Sequence, residues 1–292
     1  MILVAGATGF LGREICRGLI AQGQAVRGLV RATSDAATID HLVTEGVEIV
    51  IGDVRDRASL DAACRGIHTV VSTVTSTRTR QPGDSIEATD NAGQLDLVDA
   101  AQAAGVQRFV YVSYSENLND DSPLTRAKRA VEQRVRASGM AYTILRPSYF
   151  MDVWLSPAVG FDFPNRRAAV FGPGDAPISF IARKDVAEFA TRVTCDPAYA
   201  GATLELGGPV PVSPLDAVRI FEDVSGTAFE VQHVPVETLR AQRDAATDSL
   251  ARSFSELMLD YARGDQVPME ETLARMPVAL TSVREYARSV LR

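Results

Sequence analysis

From its first residues the chain alternates short runs of consecutive apolar residues with stretches in which apolar residues recur every three or four positions. Runs at 2–5, 25–30, 47–51, 69–73, 108–113 and 142–146 are too short for buried helices. They also lack the in–out alternation of a strand with one wet face, so they predict six strands of a parallel sheet covered on both sides. Helical patterns lie between them, through about residue 21 before Gly23, over 36–45 before Gly46, over 85–104 before Gly105, and ending before Gly139. Glycine just past the last periodic position is a usual helix stop, because it adopts the left-handed conformation at no steric cost. The fold class is α/β, a doubly wound parallel sheet.

After Pro147 the rhythm changes. Residues 161–177 are rich in Gly, Pro and aromatics and read as loop with one short strand. A strand is expected at 178–181, a helix at 185–194 and a further strand at 201–206. From Ser213 onward the pattern is mostly helical, with one strand near 229–234. The last helix carries a capping-box signature, Ser282 with Glu285 three residues on. The expected organisation is a main domain over 1–150, to which 178–206 return, and a smaller discontinuous substrate lobe from 151–177 and 207–292.

Between the first run and the first helix stands Gly6-Ala7-Thr8-Gly9-Phe10-Leu11-Gly12. Glycines at this spacing allow a tight turn and a close backbone approach to a pyrophosphate, and the helix that follows offers its N-terminal N–H groups to the same anion. The strand before and the helix after are the context this pattern requires, and they make the sheet Rossmann-type. Sites that prefer NAD place an acidic residue at the end of the second strand, to accept from the ribose 2′-hydroxyl. Here that strand ends Val30-Arg31, followed by Thr33 and Ser34. A guanidinium there forks onto a 2′-phosphate, so the expected cofactor is NADP(H) rather than NAD(H). Asp53 and Val54 follow the third strand beside the expected adenine, and Ser72 and Thr73 end the fourth, where small residues pass under the nicotinamide ribose.

Composition narrows the rest. Hydrophobic residues are 46% and charged residues 23%, so the chain can bury a sizeable core. A net charge of −7 argues against a general affinity for nucleic acid. No stretch reaches the roughly 20 apolar residues needed to span a bilayer, and the apolar start lacks a basic leader, which makes a cytoplasmic location the default. Cys16, Cys64 and Cys195, and His41, His68 and His233, are scattered without metal-ligand spacing; the cysteines read as small buried hydrophobes and no metal is expected. A G-x-S-x-G elbow and a G-x-x-x-x-G-K-[ST] loop are both missing, and the charge run over 126–136 has helical spacing and reads as a solvated face.

Together the segments 6–12, 28–31, 52–54, 108–113, 141–147, 149–151 and 178–187 resemble the atypical and extended short-chain dehydrogenase/reductases, within them the NmrA-like, isoflavone-reductase-like group. The resemblance covers about the first two-thirds of the chain and carries Pro147 and Phe150 as cofactor-side residues. Typical members of that superfamily use a Ser, a Tyr and a Lys, with the last two spaced Y-x-x-x-K. A nearby ammonium lowers the phenol's pKa so that it can trade a proton with a carbonyl oxygen. Ser113 matches the serine and Lys128 the lysine, but four residues before the lysine stands Leu124. The resemblance then leaves Lys128 to hold the nicotinamide ribose and to supply or relay a proton, with Tyr114 or Tyr149 as a replacement acid. Tyr149, Phe150, Trp154, Phe161 and Phe163 form either an apolar pocket over the nicotinamide or the core joining the two lobes.

The expected activity is transfer of hydride from NADPH to a small, largely apolar carbonyl or conjugated compound such as a quinone or enone. The alternative is an NADP(H)-binding sensor or assembly factor that does not turn over, since the NmrA-like group includes such regulators. A small-molecule substrate is the expected partner, with a homodimer or a protein partner if the chain is regulatory.

Overall fold

A computed structural model describes residues 1–78 and 80–291; Arg292, the last residue of the expected lobe, lies outside them. The chain divides into two compact units. Unit 1 comprises 1–113, 123–145 and 187–204, and unit 2 comprises 114–122, 146–186 and 205–292.

Unit 1 carries the parallel sheet. Its strands are β1 (Ile2–Ala5), β2 (Val26–Val30), β3 (Glu48–Ile51), β4 (Thr69–Ser72), β5 (Arg108–Val112), β6 (Ala141–Pro147) and, further along the chain, β9 (Ala202–Leu206), in the order β3-β2-β1-β4-β5-β6-β9. The chain therefore starts in the middle of the sheet, runs outward to β3, and returns past β1 to build the other half. That reversal puts the carboxyl ends of β1 and β4 side by side, the switch point at which such sheets bind ligands. All four residues of β1, all four of β4 and all five of β5 are buried, which is why these runs show no alternation. Helices α1 (Gly12–Ala21), α2 (Ala36–Thr44), α3 (Arg57–Ala63), α4 (Gln94–Ala103) and α5 (Pro123–Ala137) connect the strands. The long helix expected over 85–104 is divided. Residues Ile86–Gly93 form a π-helix and only then does α4 begin. The wider turn lets the chain press on Val54, since a Cβ on Gly93 would stand 2.8 Å from its Cγ2.

Unit 2 has its own apolar core, built on Tyr149, Trp154, Phe161, Phe180, Phe221 and Tyr261. Its three-stranded sheet is ordered β10-β8-β7, with β7 at Phe161–Asp162, β8 at Arg167–Phe171 and β10 at Glu230–Val234. The region expected to be loop thus holds two strands. The strand expected at 178–181 is instead three isolated bridges, from Ile178 to Val212 and to Asp265 and from Ile181 to Phe150, because it pairs singly with three different segments. The remaining helices are the short α6 (Met151–Trp154), then α7 (Arg183–Cys195), α8 (Pro214–Ser225), α9 (Val236–Ala245), α10 (Ser249–Arg263), α11 (Glu270–Arg275) and α12 (Val283–Val290). The capping box at Ser282 and Glu285 is formed in both directions.

Cys16 and Cys64 are buried, and burial pushes the Cys16 thiol up to about 12 and that of Cys64 to about 11. Cys195 departs from the expectation: as the last residue of α7 it falls beyond the helix's packed stripe and is exposed. Among the described residues no group of His, Cys, Asp and Glu is arranged to hold a metal, and no helix is long and apolar enough to cross a membrane.

Candidate active site

The glycine loop joins β1 to α1. Gly6 has φ +85°, a conformation that side chains resist, and a Cβ there would stand 2.7 Å from the Thr73 hydroxyl. The turn closes through Gly9 N–H donating to Gly6 O at 2.9 Å, and a Cβ on Gly12 would lie 2.1 Å from that same oxygen. The loop has no room for a methyl group at either end. Leu11, at the N-cap of α1, supplies no side-chain hydrogen bond to the helix start. Arg13 N donates to Gly9 O at 3.3 Å, while the positive end of the α1 dipole lies at the loop, and the cradle fits a dinucleotide pyrophosphate. Thr8 and Phe10 form the rim: the Thr8 hydroxyl lies 3.5 Å from that of Ser34, and the Arg78 guanidinium covers the Phe10 ring at 4.0 Å. Leu11 itself is buried.

At the ends of β2 and β3 the structure assembles a group that sequence reasoning saw only in part. Arg31 Nη1 donates to Asp84 Oδ2 at 2.6 Å. Arg55 grips Asp53 at 2.7 Å through Nη2 and 3.0 Å through Nε, and its Nη1 lies 3.3 Å from Asp84 Oδ1. Hydrogen bonding from Arg55 holds the Asp53 carboxyl below the ordinary range, against its burial. Burial pushes the Asp84 carboxyl up, but the Gln81 amide and the Arg31 and Arg55 guanidiniums more than offset this, so its pKa is also lowered. Val54, next in the chain, is buried against Gly93.

The carboxyl end of β4 is latched from the π-helix side. Ser72 Oγ donates to Gln94 Oε1 at 2.7 Å, Gln94 Nε2 donates to Val74 O at 2.8 Å, and Thr73 Oγ1 donates to Ala5 O at 3.2 Å. Asp90, in the π-helix, is fully buried and accepts from Ser76 N at 2.9 Å and Ser76 Oγ at 2.5 Å. Lys128, on α5, is 6% exposed. Its Nζ donates to Val112 O at 3.5 Å and lies 5.3 Å from the centre of the Tyr111 ring. Burial lowers its pKa, and the negative charges of Asp90 and Glu132 only partly oppose that. Lys128 is not a surface lysine.

Ser113 is engaged by another residue of α5. Its hydroxyl donates to Glu132 Oε1 at 2.6 Å, one helical turn beyond Lys128. Glu132 is 1% exposed and also takes Arg129 at 2.7 Å and Arg136 at 3.2 Å. A serine committed to a buried carboxylate is positioned as a structural donor in this conformation.

In unit 2, Tyr149 is 3% exposed and its hydroxyl donates to Leu257 O at 2.9 Å. Its ring packs edge-on to Trp154 at 4.8 Å and Tyr261 at 5.3 Å. Burial raises its pKa well above that of an ordinary phenol, with the charges of Asp260 and Asp265 adding to the effect. These are the contacts of a packing residue. Trp154 and Phe161 are buried in the same core and Phe163 packs against it, while Phe150 is half-buried and bridges to Ile181. Tyr114 is half-buried at the edge of that core. Pro147 O accepts from Ser115 N at 2.9 Å.

A buried carboxylate that the sequence did not flag organises these segments. Asp265 is 1% exposed and accepts from Ser115 Oγ at 2.8 Å, Asn117 Nδ2 at 2.8 Å and Ser148 Oγ at 2.6 Å. Ser115 follows Tyr114 and Ser148 precedes Tyr149, so one carboxylate pins the backbone next to both tyrosines.

Sheet order, glycine cradle and helix N-terminus together define a Rossmann-type dinucleotide-binding fold. The chain belongs to the NmrA-like family, which matches residues 1–287. A (4-alkanoyl-5-oxo-2,5-dihydrofuran-3-yl)methyl phosphate reductase from Streptomyces griseus is 33% identical, covering 95% of this chain and 94% of that one. The photosystem II assembly factor Ycf39 of Synechocystis is 29% identical, covering 98% and 89%. Among solved structures, the NADPH-dependent quinone oxidoreductase QOR2 of Escherichia coli, complexed with NADPH, superposes with a TM-score of 0.82 at 23% identity, covering all of both chains. Relatives of this chain thus include both reductases and assembly factors.

Proposed function

We propose that this protein is an NADPH-dependent reductase acting on a small, largely apolar carbonyl or conjugated substrate of the quinone or enone class. The observation that carries the reading is Lys128, a buried amine with a lowered pKa, in the unit that also holds the glycine cradle. Reductases among the relatives and a quinone oxidoreductase as structural neighbour support the reaction class. The cofactor, when bound, supplies the hydride. Gly6, Gly9 and Gly12 with the start of α1 would hold its pyrophosphate, Thr8, Phe10 and Leu11 would shape the rim, and Arg31, Asp53 and Val54 would face the adenosine end. Ser72 and Thr73 would border the nicotinamide end. Lys128 would orient the ribose, and its easily lost proton suits transfer toward oxygen that gains charge as hydride arrives. Tyr114, half-buried where Tyr149 is 3% exposed, is the better candidate for the acid.

A second reading is a dinucleotide-binding assembly factor or sensor that does not turn over. Leu124, one turn before Lys128, is buried and apolar where a phenol would serve catalysis, and an assembly factor is among the relatives. One experiment separates the readings. Purified protein is titrated with NADPH, and absorbance of the reduced nicotinamide is followed with a panel of quinones, enones and ketones. Consumption that is lost in Lys128→Ala, with binding retained, supports the reductase; tight binding with no consumption by any compound supports the sensor.

A further inference from the structure

Arg31 is the residue that the dinucleotide reading assigns to a 2′-phosphate, and it is already paired. Asp84, whose side chain is 2% exposed, holds it at 2.6 Å, the one hydrogen bond the Arg31 side chain makes among the described residues. Asp84 sits at the end of a turn in which Asp84 N donates to Gln81 O at 2.9 Å and Gln81 N donates back to Asp84 Oδ2 at 2.8 Å. The turn is fastened to its surroundings by Arg55 Nη1, 3.0 Å from Pro82 O, and by Gln81 Nε2, 3.3 Å from Thr33 O. A Cβ on Gly83 would come 2.6 Å from Arg55 Nη1, so the turn has little room to move away. The position of Asp84 beside Arg31 is built in.

Charge follows from geometry. Arg31 and Arg55 carry two positive charges; Asp53 and Asp84 carry two negative ones, at 2.6–3.3 Å from them. The cluster sums to zero. A 2′-phosphate adds close to two negative charges, and one that reaches Arg31 comes within a Debye length, about 8 Å, of a buried and weakly screened carboxylate. The attraction of Arg31 is then largely cancelled by the repulsion of Asp84. The neutral 2′-hydroxyl of NADH meets no such opposition.

We infer that Asp84 is a specificity-determining residue that neutralises Arg31 and so keeps the pocket open to NADH as well as NADPH. The inference rests on the dinucleotide reading above and adds to it a residue that narrows the preference Arg31 alone implies.

The test is binding, read from the fluorescence of NADPH and NADH titrated separately into wild type and Asp84→Asn. Asparagine keeps the shape and an acceptor for the Gln81 amide but removes the charge. The NADPH-to-NADH affinity ratio is expected to rise about tenfold in Asp84→Asn with NADH affinity nearly unchanged, and to rise less at higher salt. A ratio that stays the same or falls overturns the inference and makes Asp84 a support for Arg31. Should Asp84→Asn not fold, wild type still decides. A neutral cluster predicts a ratio nearly independent of salt, and a steep fall with salt overturns it. Failure of wild type to bind either dinucleotide is a separate result, against the function proposed above.

Discussion

The hydroxyl of Ser148 donates to Asp265 Oδ2 at 2.6 Å across 117 positions of chain, and both residues are buried. Ser115 and Asn117 donate to the other oxygen of the same carboxylate. Removing it takes the acceptor from two buried hydroxyls, those of Ser115 and Ser148, and an unpaired buried donor costs about 1–3 kcal/mol. Asp265→Ala is expected to lose about 3–5 kcal/mol, seen as a fall in Tm on the order of 10 °C. Asp265→Asn, which keeps one acceptor, should fall between the two. A Tm within error of wild type for Asp265→Ala would show that the hub is not structural.

Lys128 links stability to function. Its folded-state pKa is lowered by burial, so between that value and the ordinary lysine range the unfolded chain binds more protons, and stability rises with pH there. The burial penalty is fully present below the folded value. Lys128→Met should therefore raise Tm at neutral pH, with the gain shrinking as pH approaches the ordinary lysine pKa of about 10.4. Turnover should fall by about 10²–10⁴. A lower Tm at pH 7 would mean that Lys128 is held by partners strong enough to outweigh its desolvation.

Asp260, on α10, provides a test in the acid range. Burial and a hydrogen bond with Asp120 push its carboxyl up to about 7, against the pull of Arg263, while Asp120 and Glu256 add negative charge. A raised carboxyl contributes stability that is complete below its unfolded value, near about 3.9, and is lost as pH rises through about 7. Asp260→Asn removes that loss. Its stability relative to wild type should grow between about pH 4 and pH 8, by up to roughly 4 kcal/mol. Denaturant melts at several pH values read this directly, and a pH-independent difference would count against it.

Gly12→Ala probes the cradle. The added Cβ would start 2.1 Å from Gly6 O, so the loop must open or the helix start must shift. A cost of about 1–3 kcal/mol is expected, together with loss of measurable dinucleotide binding in the titration above. Retained affinity would remove this loop from the site.

The two tyrosines are expected to separate cleanly. Tyr149→Phe deletes the bond to Leu257 O and should cost about 1 kcal/mol of stability with turnover unchanged. Tyr114→Phe should slow a proton-dependent step by about 10²-fold, read as a change in the pH profile of kcat. If the effects are reversed, the proton donor has been assigned to the wrong ring.

The legible part of this protein lies where its signals are local. The buried runs of β1, β4 and β5 and the loop from Gly6 to Gly12 are each set by residues a few positions apart. Backbone conformation and burial of one short element suffice to explain them, so the sequence by itself determined the α/β class and the phosphate loop, while Lys128 was marked by the resemblance to the NmrA-like group. Tertiary structure decided what each polar group does. Arg31 meets Asp84 from 53 positions away, Ser115 meets Asp265 from 150, and Ser113 turns to Glu132 and not to Lys128. The division of the helix at Gly93 likewise depends on Val54, which packs there from another loop. A hydrogen bond or ion pair is chosen by which groups packing brings within about 3 Å, and no periodicity or spacing along the chain encodes that choice.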